Sequence, residues 1–168
     1  MHPGKDFFQI LEERHSGKEA EINNVDNMNN AKTVKGKVTI DSGAGESVWP
    51  IKYVDGLEIH ETEQSKRGIG FVAANGQRMR NYGSTKIKFS KDEKSRSMNF
   101  HVTDVRKPLA AVSRIVDRGN RVIFGPEGNY IENIETGERI EMIRENGTYS
   151  IEVDFEVGHP ATGFTRRV

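Results

Sequence analysis

The stretch Val38-Thr39-Ile40-Asp41-Ser42-Gly43-Ala44-Gly45-Glu46-Ser47-Val48-Trp49-Pro50 decides how this chain is built. Val38 and Ile40 alternate with polar neighbours, which is the period of a half-buried strand. That strand delivers Asp41 to a sharp turn. Ser42 adds a hydroxyl, and Gly43 permits close backbone approach and unusual dihedral angles. Val48, Trp49 and Ile51 then resume an apolar strand. Taken alone, Asp-Ser-Gly is a common turn, because Asp and Ser hydrogen-bond to nearby backbone and Gly bends freely. Its neighbours along the chain give it weight.

Downstream the β rhythm continues. Phe71-Val72-Ala73-Ala74 and Met79 flank Asn75-Gly76, a strong short hairpin signal. Tyr82, Thr85, Ile87 and Phe89 alternate as another strand, with Met98, Phe100, Val102 and Val105 as its neighbour. The charged run at 91–97 reads as a solvated hairpin tip between them. Leu109, Val112, Ile115 and Val116 recur at helical spacing after Pro108, and Gly119 suits a C-cap, so the pattern predicts one helix over 109–118. Beyond it, short strands separated by GPEG, TGE and ENG turns form a meander. Residues 1–33 are polar and Asn-rich apart from a possible helical turn at Phe7, Phe8, Ile10 and Leu11, and read as a flexible extension. The expected organisation is this extension, a domain over 34–157 and a tail over 158–168.

Composition excludes several classes of function. The 168 residues suit a single domain, and 17 glycines against 5 prolines suit many tight turns. Lys plus Arg equals Asp plus Glu at 25 each, which gives no electrostatic case for nucleic acid or an anionic membrane. With no cysteine, disulfides, thiolate metal sites and cysteine nucleophiles are ruled out. The five histidines are scattered without ligand spacing, so neither a metal nor a cofactor is expected. Gly68-Ile69-Gly70 fails as a dinucleotide fingerprint because no strand precedes it and no helical period follows. Ser47 and Ser113 read as structural. Without the apolar core of a signal peptide, a soluble, cytoplasmic protein is the expectation.

An aspartate at the end of an apolar strand acquires a chemical use when a second one faces it. Two such carboxylates share a proton and titrate as a coupled pair. One then activates a water while its protonated mate polarises a carbonyl, hydrolysing an amide with no covalent intermediate. No second Asp-Ser-Gly or Asp-Thr-Gly occurs in the chain, so this chemistry needs two chains.

Three features, in order, carry a family resemblance. They are Val38–Ala44, the hairpin GFVAANGQRM with Asn81-Tyr82-Gly83-Ser84-Thr85, and DVRKPLAAVSRIVDRGNRVIF. The chain resembles the retropepsin-type aspartic proteases of retroviruses and retrotransposons, and is especially similar to the protease region of copia-type polyproteins. The similarity spans about residues 34–135 and includes every element of the minimal fold. It implies an all-β, closed retropepsin-like barrel with one short helix, a half-site completed by a homodimer. The implied activity is that of an aspartic endopeptidase acting on a polypeptide, processing a retrotransposon-like polyprotein. Asp41 would be the catalytic carboxylate. Ser42 would brace the paired loops across the dimer, and Gly43 would shape the turn and help accept substrate. Ala44 would pack beneath the turn and line the substrate site. Ala74, Asn75 and Gly76 would form the tip of a flap over an extended peptide bound by main-chain hydrogen bonds.

The strands after residue 135 exceed the family's minimal fold and would extend the sheet or alter the dimer interface; the other departures are local. Leu109-Ala110-Ala111 stands where two apolar residues and a glycine are common, putting a methyl against the catalytic loop. Gly45 separates Ala44 from the acidic Glu46, and Val112 occupies the position matching a supporting arginine. Both ends of a supporting ion pair are therefore expected to be missing. The competing expectation is an inactive peptide-binding or dimerisation module on the same fold.

Overall fold

The computed structural model describes residues 33–156, so the predicted extension and its Phe7–Leu11 turn, as well as the tail, lie outside the described residues except for Thr33. Within that span the chain is mostly β. The elements are β1 (Thr33–Asp41), β2 (Val48–Pro50), a 3-10 turn (Ile51–Tyr53), α1 (Glu63–Lys66), β3 (Phe71–Val72), β4 (Arg78–Met79), β5 (Gly83–Lys91) and β6 (Lys94–Thr103). They continue with β7 (Leu109–Ala111), α2 (Val112–Asp117), β8 (Asn120–Gly125), β9 (Gly128–Asn133), β10 (Arg139–Glu141), β11 (Ile143–Glu145) and β12 (Thr148–Glu156).

Six strands close on themselves in the order β1-β7-β2-β6-β5-β12, because β12 returns to pair with β1, and β11 hangs from β12. The closing seam is antiparallel and long, running from Thr33↔Glu156 to Ile40↔Tyr149. Two joints in the ring are parallel, β1 with β7 and β2 with β6. Closure removes the exposed edges that an open sheet would present.

The alternation read from sequence fills this ring. Val38 and Ile40 of β1, Ile87 and Phe89 of β5, Phe100 and Val102 of β6, and Ile151, Val153 and Phe155 of β12 are all buried in one cluster. Trp49 sits among them, 5.4 Å from Phe100 and 5.0 Å from Phe155 between ring centroids, and its indole N–H donates to Tyr53 O at 3.0 Å. A second, three-stranded sheet (β10-β9-β8) packs beside the ring and buries Ile131 and Ile140 completely. Its anchor to α2 is the buried Asn120, whose side-chain amide donates to Ile115 O at 3.0 Å.

Four sequence expectations need correction. The helix does not start at 109, because Leu109–Ala111 pair with β1 and so form β7; only Val112–Asp117 are helical, and Gly119, with φ of 90°, ends the turn as expected. Glu63–Lys66 form a second short helix, held by a capping box between Thr62 and Ser65. Ile51 belongs to the 3-10 turn, not to a strand. Finally, the solvated tip at 91–97 shrinks to Asp92–Glu93, both at positive φ, while Arg96 and Ser97 lie in β6 and are 1% exposed. Arg96 donates to Lys91 O at 2.9 Å, and burial pulls its pKa down to about 10. Among the described residues no helix is long and apolar enough to cross a membrane.

Candidate active site

Asp41 is the last residue of β1 and lies directly beside Ala111 in the parallel pair with β7. The turn that follows is held from within and from below. The Gly43 N–H donates to Asp41 Oδ1 at 2.7 Å, which fixes the orientation of the carboxylate. At the far end of the loop, Ser47 is buried; its Oγ accepts from the Ala111 N–H at 3.0 Å and its carbonyl accepts from the His101 N–H at 2.9 Å. Ser47 is therefore structural, as expected, and ties the loop to β7 and β6 at once. Asp41 and Ala44 are half-buried, and Ser42 and Gly43 are exposed. Among the described residues no cation pairs with Asp41.

The glycines around Asp41 differ in what they do. A Cβ at Gly45 would meet nothing within 4 Å, so that position is not sterically fixed. A Cβ at Gly43 would lie 3.3 Å from Asp41 Oδ1 and crowd the carboxylate. Gly43→Ala is expected to reduce turnover by about tenfold or more through this displacement, with an unchanged melting temperature because Gly43 is exposed. Peptide turnover measured beside a thermal melt checks it. Ala111, the departure from the family's glycine, is fully buried with φ −76° and ψ 126°, an extended backbone that any residue adopts, so the position does not require glycine for its backbone.

The expected loss of a supporting ion pair is overturned. Glu46 and Arg114 form one, with Arg114 Nε 3.0 Å from Glu46 Oε2 and a second, shorter bond from Nη2 to Oε1. Sequence matching pointed at Val112, but α2 starts only there, and its first turn carries residue 114 to face the loop. The hydrogen bonds that Arg114 donates to Glu46 push its guanidinium up from its ordinary value. Both side chains are partly exposed, so the pair adds little stability; its effect is to pin the loop and to occupy the loop's other carboxylate.

Ala74, Asn75 and Gly76 lie at the exposed tip of the β3–β4 hairpin, on a different element from Asp41–Ala44. The tip is closed by Ala73 N–H to Gln77 O at 2.8 Å, Gly76 N–H to Ala73 O at 2.9 Å and Gln77 N–H to Asn75 Oδ1 at 2.9 Å, with Gly76 at φ 86°. Valine 72 is 70% exposed on this arm. The arm is joined to the loop through His101. Its ring packs 5.4 Å from that of Phe71 at the arm's root, and its Nε2 lies 3.4 Å from Glu46 Oε2. His101 and the Glu46–Arg114 pair are the site residues that sequence spacing missed. Only the alternation of β6, which turns 97, 99 and 101 away from Phe100 and Val102, hinted that His101 was not an isolated surface residue.

Among the described residues no group of three or more His, Asp or Glu could hold a metal ion. No protein-family model, curated protein or solved structure matches the chain. The meaning of the site therefore rests on its own residues.

Proposed function

We propose that the chain is a retropepsin-type aspartic endopeptidase, active as a homodimer in which each subunit contributes one Asp41. The observation that carries this reading is the half-buried Asp41 carboxylate, which no described cation pairs with, on a loop braced by Ser47 and by the Glu46–Arg114 pair, with Ser42 and Gly43 exposed beside it. A second copy brought loop to loop would set two Asp41 carboxylates against each other. With one proton between them, the ionised carboxylate takes a proton from a water as the water oxygen attacks the scissile carbonyl. The protonated carboxyl donates to the carbonyl oxygen, and the tetrahedral intermediate collapses as the leaving nitrogen receives the proton taken from the water, while a hydroxyl of the intermediate returns a proton to the second carboxyl. The β3–β4 arm would cover an extended peptide. A polyprotein such as that of a copia-type element is the substrate this reading favours.

Mixing tests the two-chain requirement. At constant total protein, replacing half of the wild type by Asp41→Asn chains should leave roughly a quarter of the peptidase rate, since only wild-type pairs carry both carboxylates. A rate of roughly a half would mean that each chain works alone, and would overturn the shared site.

A further inference from the structure

The outer face of the ring carries a second row of polar side chains beside the Asp41 loop. On β5 and β6, Ser84 registers with His101 and Lys86 with Asn99, and Ser97 continues the row on β6. Arg114 of α2 and Arg118 just past its end line this face, as do Thr62 and Gln64 at the start of α1; a cavity of about 450 Å³ lies between them. Its walls differ from the apolar ring interior in two respects.

First, two polar atoms in the wall are buried without a hydrogen-bond partner, Ser97 Oγ and His101 Nδ1, and Ser97 is 1% exposed. Buried polar atoms in native proteins are paired, so an unpaired hydroxyl on a residue that lines the cavity marks where a group from outside completes it. Second, the lining carries Lys86, Arg114 and Arg118 against one carboxylate, Glu46, which Arg114 already engages. A hydroxyl donor in a positively biased cavity fits an anion with oxygen acceptors.

The location selects the source of that anion. Glu46 and Ser47 come directly from the candidate catalytic loop, and His101 packs against Phe71 at the root of the candidate flap. The cavity thus adjoins the Asp41 loop directly, and reaches the arm only through His101. We propose that it is a subsite for an aspartate or glutamate side chain of the bound polypeptide, its carboxylate accepting from Ser97 Oγ within the field of Lys86. This deepens the endopeptidase reading and rests on it only for the presence of a peptide.

Binding can be separated from hydrolysis. A random peptide library is passed over immobilised full-length Asp41→Asn protein and the retained peptides are sequenced. Acidic residues should be enriched at one position by roughly tenfold, the effect of one charge-assisted hydrogen bond. Lys86→Glu, an exposed change, and Ser97→Ala, which removes an unpaired hydroxyl, should each reduce that enrichment while other positions keep their preferences. Absence of acidic enrichment, enrichment unmoved by both substitutions, or retention of no peptide at all would overturn the subsite. Wild-type cleavage without acidic preference would sink the subsite and keep the protease. Acidic retention lost in Lys86→Glu, with no cleavage by wild type, would do the reverse.

Discussion

Asp41→Asn is expected to leave the chain folded and peptide-binding while lowering peptidase turnover by about a thousandfold or more, the range associated with losing a group that handles protons and electrostatics at the reacting centre. The fold should survive because asparagine keeps the shape and an acceptor. The Gly43 N–H, which now donates to Asp41 Oδ1 at 2.7 Å, can donate to the amide oxygen instead. Asp41 is half-buried and no described cation pairs with it, so removing its charge strands no partner. What asparagine cannot do is accept the proton of an attacking water. The measurement is turnover of a mixed peptide library at about pH 5, where a carboxylate pair sharing one proton works, beside a thermal melt of each protein. Undiminished turnover in the variant would remove Asp41 from the chemistry. Cleavage by neither protein, with peptide still bound, would instead make the chain an inactive module.

The loop was the most legible part of the sequence because its information is local. A strand of period two running into Asp-Ser-Gly specifies β1 and its turn without reference to anything distant, and the Asn75-Gly76 hairpin is specified in the same way. What could not be read were the partners that the loop acquires across the fold. Arg114 meets Glu46 across a sequence separation of 68, and Ser47 meets Ala111 across 64. Those contacts exist because β1 and β7 run parallel, a pairing with no signature in either segment. For the same reason Leu109–Ala111 looked like the first turn of a helix. Their apolar residues continue the spacing of Ile115 and Val116, but the ladder beside β1 offers the backbone of 109–111 a partner that a helix would forgo. Arg96 and Ser97 misled in a different way. They are polar residues in a charged run, and only burial beneath the rest of the fold distinguishes them from the true tip at Asp92–Glu93.

The family resemblance spans about residues 34–135, yet a strand beyond it closes the ring, and the consequence is a large expected effect. A chain stopped at residue 135 should not fold. It would lose β12, which lines β1 from Thr33 to Ile40 and also pairs with β5 at Phe89 and Ser90. With it go Ile151, Val153 and Phe155, each nearly fully buried. At about 1.5–3 kcal/mol for each buried side chain of this kind, the three are comparable with the whole stability of a small domain, about 5–15 kcal/mol. Trp49 would lose the Phe155 ring that packs edge-on against it, and Val38, Ile40 and Phe89 would face an open seam. Both rims of that seam would be unpaired strand edges, β1 and β5, and such edges pair with other chains. Circular dichroism and dye binding should therefore report a disordered, aggregating 1–135 fragment. Val153→Asp in the full chain probes the same seam without shortening it, burying an unpaired charge between β1 and β5, and should lower the melting temperature steeply. A 1–135 fragment that melts cooperatively, together with a Val153→Asp protein as stable as wild type, would mean that the ring closes without its last strand. The candidate loop makes the outcome matter beyond stability. Asp41 is the end of β1, so whatever holds β1 in register holds the carboxylate, and β12, which has no part in the proposed chemistry, would set the position of the group assigned to it.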